Sequence, residues 1–261
     1  MANRSQAARS RRAELEAQRL AQAKKQRQLR IFGAAGGLLV IAVVVALTIW
    51  GVNGSKTGGS DIPPSATADK NAISLTPNVS SSAPTLDIFS DFQCPGCKSY
   101  HDALGDVIDD YIEAGTVNII IHQMTFLDRL NTDGNPNSST RSAVGAACAD
   151  FAGKYLAYYD AVYDNQPSDE GPGYSDSLLR DTIPAGIGIS GDDLTAFQTC
   201  YDTRATGQFV QDTDDEGSRG MAQAGSQTTP VYALNGENIT TELGSASSPA
   251  SKLKELLDNA I

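Results

Sequence analysis

The sequence predicts an α/β fold with an inserted α-helical domain, preceded by one transmembrane helix. Three observations carry this. Residues 31–50 hold no charged side chain. A strand–helix–strand order then runs from Pro84 to His122, the βαβ unit of a parallel sheet. Between that unit and a closing β-hairpin lies a long stretch, about 138–225, whose apolar residues recur at helical spacing.

The chain begins with a charge asymmetry. Residues 1–30 hold nine Lys/Arg against two Glu, a net +7; the 261-residue chain totals −11, so the remainder carries −18. An acidic body does not suit phosphate-backbone binding, and no nucleic-acid partner is expected. With only two histidines, His101 and His122, the sequence argues against imidazole-rich metal sites, and no metal is expected. Residues 31–50 (IFGAAGGLLVIAVVVALTIW) are long enough to span about 30 Å, the thickness of a bilayer core. Trp50 at the far end suits the lipid interface. The basic flank precedes the span, so residues 1–30 are expected in the cytoplasm and 51–261 outside. A cleaved signal peptide is the rival, but its apolar region is usually about 7–15 residues and ends in an A-x-A-like site. Residues 51–71 are rich in Gly, Ser, Pro and Thr and read as a flexible linker to an outer domain over 72–261.

In that domain Ala72–Leu75 alternates as a short strand, and Pro84–Ser90 follows as a stronger one, with Leu86 and Ile88 on one face. Gly96–Ala114 reads as a helix stopped by Gly115. Thr116–His122 is β-branched and apolar on both faces, as in a central parallel strand. Ser139–Asn165 carries Val144, Cys148, Phe151, Tyr155, Tyr159 and Val162 at three- and four-residue spacing, one long helical stretch. Shorter helices are expected at 177–182 and 192–203, and another over 208–225, interrupted by Gly217 and Gly220. Thr229–Leu234 and Glu237–Thr241 flank Asn235-Gly236, a strong short-range hairpin signal. A helix over 248–261 closes the chain.

Four cysteines carry the chemistry. Cys94-Pro95-Gly96-Cys97 follows a strand and opens a helix. A Cys at a helix N-terminus faces unpaired N–H groups and the positive end of the dipole, which favour its thiolate. Cys94 is therefore the expected nucleophile, and Cys97, one turn in, is placed to attack a mixed disulfide formed on Cys94. Half of a zinc site and an inert structural disulfide are the competing readings. Zinc needs two further ligands, and Cys148 and Cys200 lack the C-x₂-C pairing of zinc ribbons.

At these residues the chain resembles the thioredoxin-fold thiol–disulfide oxidoreductases, and most closely the DsbA-like oxidases. The resemblance rests on Asp91-Phe92-Gln93-Cys94-Pro95-Gly96-Cys97 after a strand, the helical block after the βαβ unit, Thr229-Pro230 before a strand, and Asn235-Gly236 in the hairpin. It covers about residues 72–261 and is similar to membrane-anchored forms in Gram-positive actinobacteria. It implies catalytic Cys94 and Cys97, and a cis Pro230 that, with Thr229, receives an extended substrate chain. An ordinary strand-entry proline is the plainer reading. It further implies disulfide donation to exported proteins with reduced Cys pairs, no bound cofactor, and reoxidation by a quinone-linked membrane partner of DsbB or vitamin K epoxide reductase type. A thiol reductant or isomerase, and a non-catalytic interaction module, are the alternatives.

The sequence departs from that pattern in three ways. The dipeptide between the cysteines is Pro-Gly, where the Gram-negative oxidases have Pro-His and thioredoxin has Gly-Pro. The buried acid six positions before the first Cys is here Ile88, with Asp87 and Asp91 the near carboxylates. The second Cys pair is not common to all members. With the first two cysteines assigned to each other, a structural Cys148–Cys200 bridge is the default outside the membrane, two buried free thiols being the alternative. His101 and His122 read as packed residues, and the acidic runs 106–110 and 212–216 as solvated faces.

Overall fold

Five strands form one sheet in the order β1-β3-β2-β4-β5 in the computed structural model, which describes residues 58–130 and 134–261. The strands are β1 (Ile73–Ser74), β2 (Thr85–Asp91), β3 (Asn118–Met124), β4 (Val231–Leu234) and β5 (Glu237–Asn238). β2 is central: it runs parallel to β3, with Thr85 opposite Asn118 and Asp91 opposite Met124, and antiparallel to β4. The strand over Asn118–Met124 is therefore second from one edge rather than central, with β1 antiparallel outside it. Among the described residues no helix is long and apolar enough to cross a membrane. The span expected at 31–50, the basic segment before it and the first linker residues lie outside the described residues.

A parallel pair needs a crossover, and α1 (Pro95–Ala114) supplies it. Cys94 caps the helix with an extended backbone, Pro95 fits its first turn, and Gly115 ends it at φ 62°. Its stripe Cys97, Leu104, Ile108 and Tyr111 is buried over the sheet. Leu86, Ile88 and Ser90 share the face of β2 under α1, while Asp87, Phe89 and Asp91 point to the other face. Burying an aliphatic side chain such as Leu86 or Leu104 contributes about 1.5–3 kcal/mol.

The helical block comprises α2 (Ser138–Asp150), α3 (Tyr155–Asp164), a π turn over Leu178–Thr182 continued by α4 (Ile183–Gly186), α5 (Gly191–Thr203) and α6 (Gly207–Gln223). The single stretch expected over 139–165 is two helices. Gly153 takes φ 65°, and the Lys154 N–H bonds back to the Ala149 carbonyl at 3.0 Å, which closes α2. Phe151, read as part of the apolar stripe, falls in that turn and is exposed. Conversely, α6 runs unbroken through Gly217 and Gly220. These glycines mark close approach instead: a Cβ at Gly217 would stand 2.5 Å from Met124 Sδ, and one at Gly220 would stand 2.8 Å from the Phe89 ring. They let α6 lie flat on the second face of the sheet.

The hairpin turns at Asn235 and Gly236, with φ 50° and 84°, the left-handed pair that a two-residue turn requires. Its second strand stops at Asn238, and α7 (Thr240–Ser245) replaces the strand expected there because Asn238 Oδ1 accepts from the Thr240 N–H at 3.0 Å. α8 (Pro249–Ala260), capped by Ser248, packs its Leu253 and Leu257 into the core. Residues 58–71, expected as part of the flexible linker, are held against the domain. The Gly59 N–H bonds the Arg204 carbonyl at 2.8 Å, and Asp150 Oδ1 and Oδ2 accept from the Ser65 hydroxyl and N–H at 2.8 and 2.6 Å. These are polar bonds, which leave no apolar pattern in the sequence.

Candidate active site

β2 ends at Asp91, the chain turns through Phe92-Gln93, and Cys94 opens α1 beyond the C-terminal end of this central strand. Cys94 Sγ accepts from the Cys97 N–H at 3.4 Å, and its thiol donates to the Thr229 carbonyl at 3.4 Å. Both cysteines are free thiols, 8% exposed for Cys94 and 2% for Cys97. The nucleophile is thus the more accessible of the two but far from open. The Thr229–Pro230 peptide bond is cis. The loop before β4 lies against the helix mouth: a Cβ at Gly96 would stand 3.3 Å from Pro230 Cδ and 3.6 Å from Cys94 Sγ. The structure therefore brings Cys94, Cys97, Thr229 and Pro230 together.

The two thiols differ sharply in acidity. Cys94 is lowered to about 6, first by the side-chain hydrogen bond from Cys97, with Thr229 and the N–H groups of Cys97 and Gly96 adding to it against the opposing effect of burial. Cys97 is pushed well above the ordinary thiol range, first by burial and then by Cys94 itself. One sulfur is stable as an anion at neutral pH and the other is not. That is the arrangement in which Cys94 attacks or leaves readily and Cys97 works only when it trades a proton.

Several residues that shape the site carry no sequence signal. Gln166 Nε2 donates to the carbonyls of Phe92 and Cys94 at 2.7 and 3.1 Å, and the Tyr174 hydroxyl donates to the Phe92 carbonyl at 2.6 Å. Both come from the helical block and hold the turn before Cys94. Asp91 lies fully buried behind that turn. Its Oδ1 accepts from Ser139 Oγ at 2.6 Å and the Gln93 N–H at 3.0 Å, and its Oδ2 from the Leu127 N–H at 3.0 Å. Burial raises Asp91 to about 7 against these three donors. Asp128 caps α2 beside it, accepting from the N–H groups of Ser139 and Thr140. Asp87, the other near carboxylate, lies on the far face, with Oδ1 2.9 Å from His122 Nε2.

Cys148 and Cys200 are joined to each other, tying α2 to α5 with their Cα atoms 5.9 Å apart. That leaves no second cysteine pair for a four-sulfur zinc site. His122 stacks on Phe89 at 4.4 Å, and His101 stacks on Tyr163 at 4.9 Å. Not every residue of the acidic runs is solvated: Asp214 Oδ1 accepts from the Thr125 N–H at 2.8 Å and pins the end of β3 to α6. Among the described residues no group of three or more His, Cys, Asp or Glu is placed to hold a metal ion.

The family model described as thioredoxin matches residues 80–259. A search of curated proteins returned no match. Among solved structures, the MdbA protein of Actinomyces oris, a thiol-disulfide oxidoreductase, aligns at a TM-score of 0.59 and 16% identity over 78% of this chain and 94% of its own. The MdbA protein of Corynebacterium diphtheriae, of the same description, aligns at 0.56 and 19% identity over 77% and 97%. Reduced DsbA of Mycobacterium tuberculosis aligns at 0.53 and 17% identity over 73% and 92%. At these identities the likeness is one of fold.

Proposed function

The chain belongs to the thioredoxin family, and from that premise we propose that it is an extracytoplasmic thiol–disulfide oxidoreductase that introduces disulfide bonds into exported proteins through Cys94 and Cys97. The observation that carries this reading is Cys94 at the mouth of α1, its Sγ accepting from the Cys97 N–H at 3.4 Å with Cys97 buried behind it, an arrangement that lowers one thiol to about 6 and raises the other. A stabilised Cys94 thiolate favours the reduced pair, so the oxidised pair gives up its disulfide readily. The fold shared with MdbA and DsbA proteins supports the same class of chemistry.

In the oxidising direction the Cys94–Cys97 disulfide is the acceptor. A substrate thiolate attacks Cys94 Sγ, a bond forms between those sulfurs, and Cys97 Sγ leaves and takes up a proton. A second substrate thiolate then attacks the substrate sulfur of the mixed disulfide, and Cys94 leaves as its stable thiolate. The substrate dithiol loses two electrons and the protein disulfide gains them. Thr229 and Pro230, beside Cys94, receive the extended substrate segment. A quinone-linked membrane reoxidase of DsbB or vitamin K epoxide reductase type restores the disulfide. The uncharged run at 31–50 behind a basic flank supports a single-pass anchor, with the catalytic domain outside the cell membrane.

Oxidative refolding of reduced ribonuclease tests the reading. With the oxidised protein as sole oxidant, ribonuclease activity should return, and with Cys94→Ala it should not. Equal recovery with the two proteins, or none with either, refutes it.

A further inference from the structure

Each round of exchange must bring a proton to Cys97 or remove one, yet its sulfur is sealed from bulk water. A cavity of 240 Å³ opens between α1 and α3 on the Cys97 face of the sheet. At about 30 Å³ per molecule it has room for several waters. Its lining includes Ile88, Tyr159 and Tyr232, together with His101, Asp109 and Asp160. Cys97 is buried in the same core cluster as Ile88, Tyr159 and Tyr232. The Tyr159 hydroxyl shares a hydrogen bond of 3.0 Å with Ser90 Oγ. His101 is four residues beyond Cys97 and lies one turn further along the same face of α1. Its Nε2 stands 3.7 Å from Asp160 Oδ1, and its ring is held by stacking on Tyr163 and an edge contact with Tyr159.

Resting on the thiol–disulfide reading above, we propose that this cavity is the proton port of Cys97. Asp160 is the group that takes the proton through cavity water as Cys97 attacks and returns it as Cys97 leaves, and His101 is the residue that positions Asp160. Neither near carboxylate suits this task. Asp87 is on the opposite face against His122, and both oxygens of the fully buried Asp91 are engaged by Ser139, Gln93 and Leu127. At the end of the cavity nearest the sheet, Ile88 offers no proton at all.

The charges facing Asp160 agree with the assignment. Burial and then Asp109 of α1 and Asp164 of its own helix raise Asp160 to about 7. Burial holds His101 below its usual value in spite of Asp102, Asp164 and Asp109, with Lys98 adding to the lowering. The sheet contributes Ile88, Ile121 and Tyr232, none of them charged at neutral pH, and α1 adds Asp102 and Asp106 to the lining. Asp160 is therefore raised toward neutral pH, where a carboxyl can both give and take a proton. In the resolving direction Cys97 Sγ forms a bond to Cys94 Sγ, the bond from Cys94 to the substrate sulfur breaks, and the substrate leaves as thiolate. The Cys97 proton passes to Asp160 and out through the cavity.

The test is the reaction of the reduced full chain with one equivalent of Ellman's reagent, followed by release of thionitrobenzoate. The first phase reports attack by Cys94, and the second reports attack by Cys97 on the mixed disulfide. In Asp160→Asn the first phase should be unchanged. The second should slow about tenfold at pH 7 and lose its inflection near that pH. The loss falls below the about 10²–10⁴ of a fully sequestered acid–base group because cavity water substitutes in part. Asp160→Glu should restore both rate and inflection. A second phase in Asp160→Asn that keeps the wild-type profile, or equal slowing of both phases, overturns the port and leaves the oxidoreductase reading standing. A wild-type chain with no second phase overturns both.

Discussion

Replacing Cys97 by Ala should make Cys94 a weaker acid, because the largest contribution to its acidity is the hydrogen bond from the Cys97 side chain. Cys94 stands at about 6 against 9.0 for an ordinary thiol. A hydrogen bond to a charged group contributes about 1.5–3 kcal/mol, and one pKa unit is about 1.4 kcal/mol, so its loss should raise Cys94 by about 1–2 units. The substitution keeps the backbone N–H of that position and the N–H of Gly96, so the rise stops short of the free value. At pH 6 the thiolate fraction should then fall from about one half to about 1–10%. Iodoacetamide alkylation of Cys94 between about pH 5 and 9 reads this fraction directly. Cys97→Ser keeps a donor and should fall between the two. A Cys97→Ala midpoint at or below that of the wild type would refute the assignment of the acidity to Cys97.

Other expectations follow from the scaffold. Cys148→Ala with Cys200→Ala opens a loop spanning 52 positions, worth about 4 kcal/mol in the chain-entropy model, and urea melts should show a loss of about 2–4 kcal/mol with Cys94 alkylation unchanged. Gly220→Ala drives a Cβ to within 2.8 Å of the Phe89 ring, and the loss of about 1–3 kcal/mol expected from overpacking should outweigh the gain in helix propensity of up to about 1 kcal/mol, again in urea melts. Asp91→Asn turns one acceptor oxygen into a donor facing another donor and should lower stability by about 1–3 kcal/mol. The folded value of Asp91, about 7, lies above its unfolded value of 3.8, so its contribution is full below about pH 4 and lost as pH rises through 7. Urea midpoints should therefore decline less between pH 4 and 7 in the Asn variant than in the wild type.

The parts of the fold legible in the sequence were those set by local rules. Alternation placed β2, a Cys and Pro at the helix mouth with Gly115 at its end placed α1, and Asn235-Gly236 placed the hairpin. The errors arose where tertiary contact overrides local preference. Gly217 and Gly220 resemble helix breakers in isolation, but their missing side chains make room for Met124 and Phe89. Phe151 fits a helical period that Gly153 interrupts. At the site, the cysteines and Pro230 have recognisable sequence contexts. Gln166, Tyr174 and the donors around Asp91 do not, because their partners are carbonyls and N–H groups brought near only by folding. Ile88 announced a missing acid, but a helix some seventy residues downstream, where Asp160 lies, could not be read as its neighbour.

The equilibrium reduction potential of the Cys94–Cys97 pair in glutathione buffers at pH 7 tests the central claim most directly. Lowering Cys94 from 9.0 to about 6 stabilises the reduced pair at that pH by about tenfold, which is about 30 mV toward the oxidising side. The account predicts a potential of about −240 mV or higher, at least about 30 mV to the oxidising side of thioredoxin. A potential at or below about −270 mV, that of the reductant thioredoxin, would contradict it.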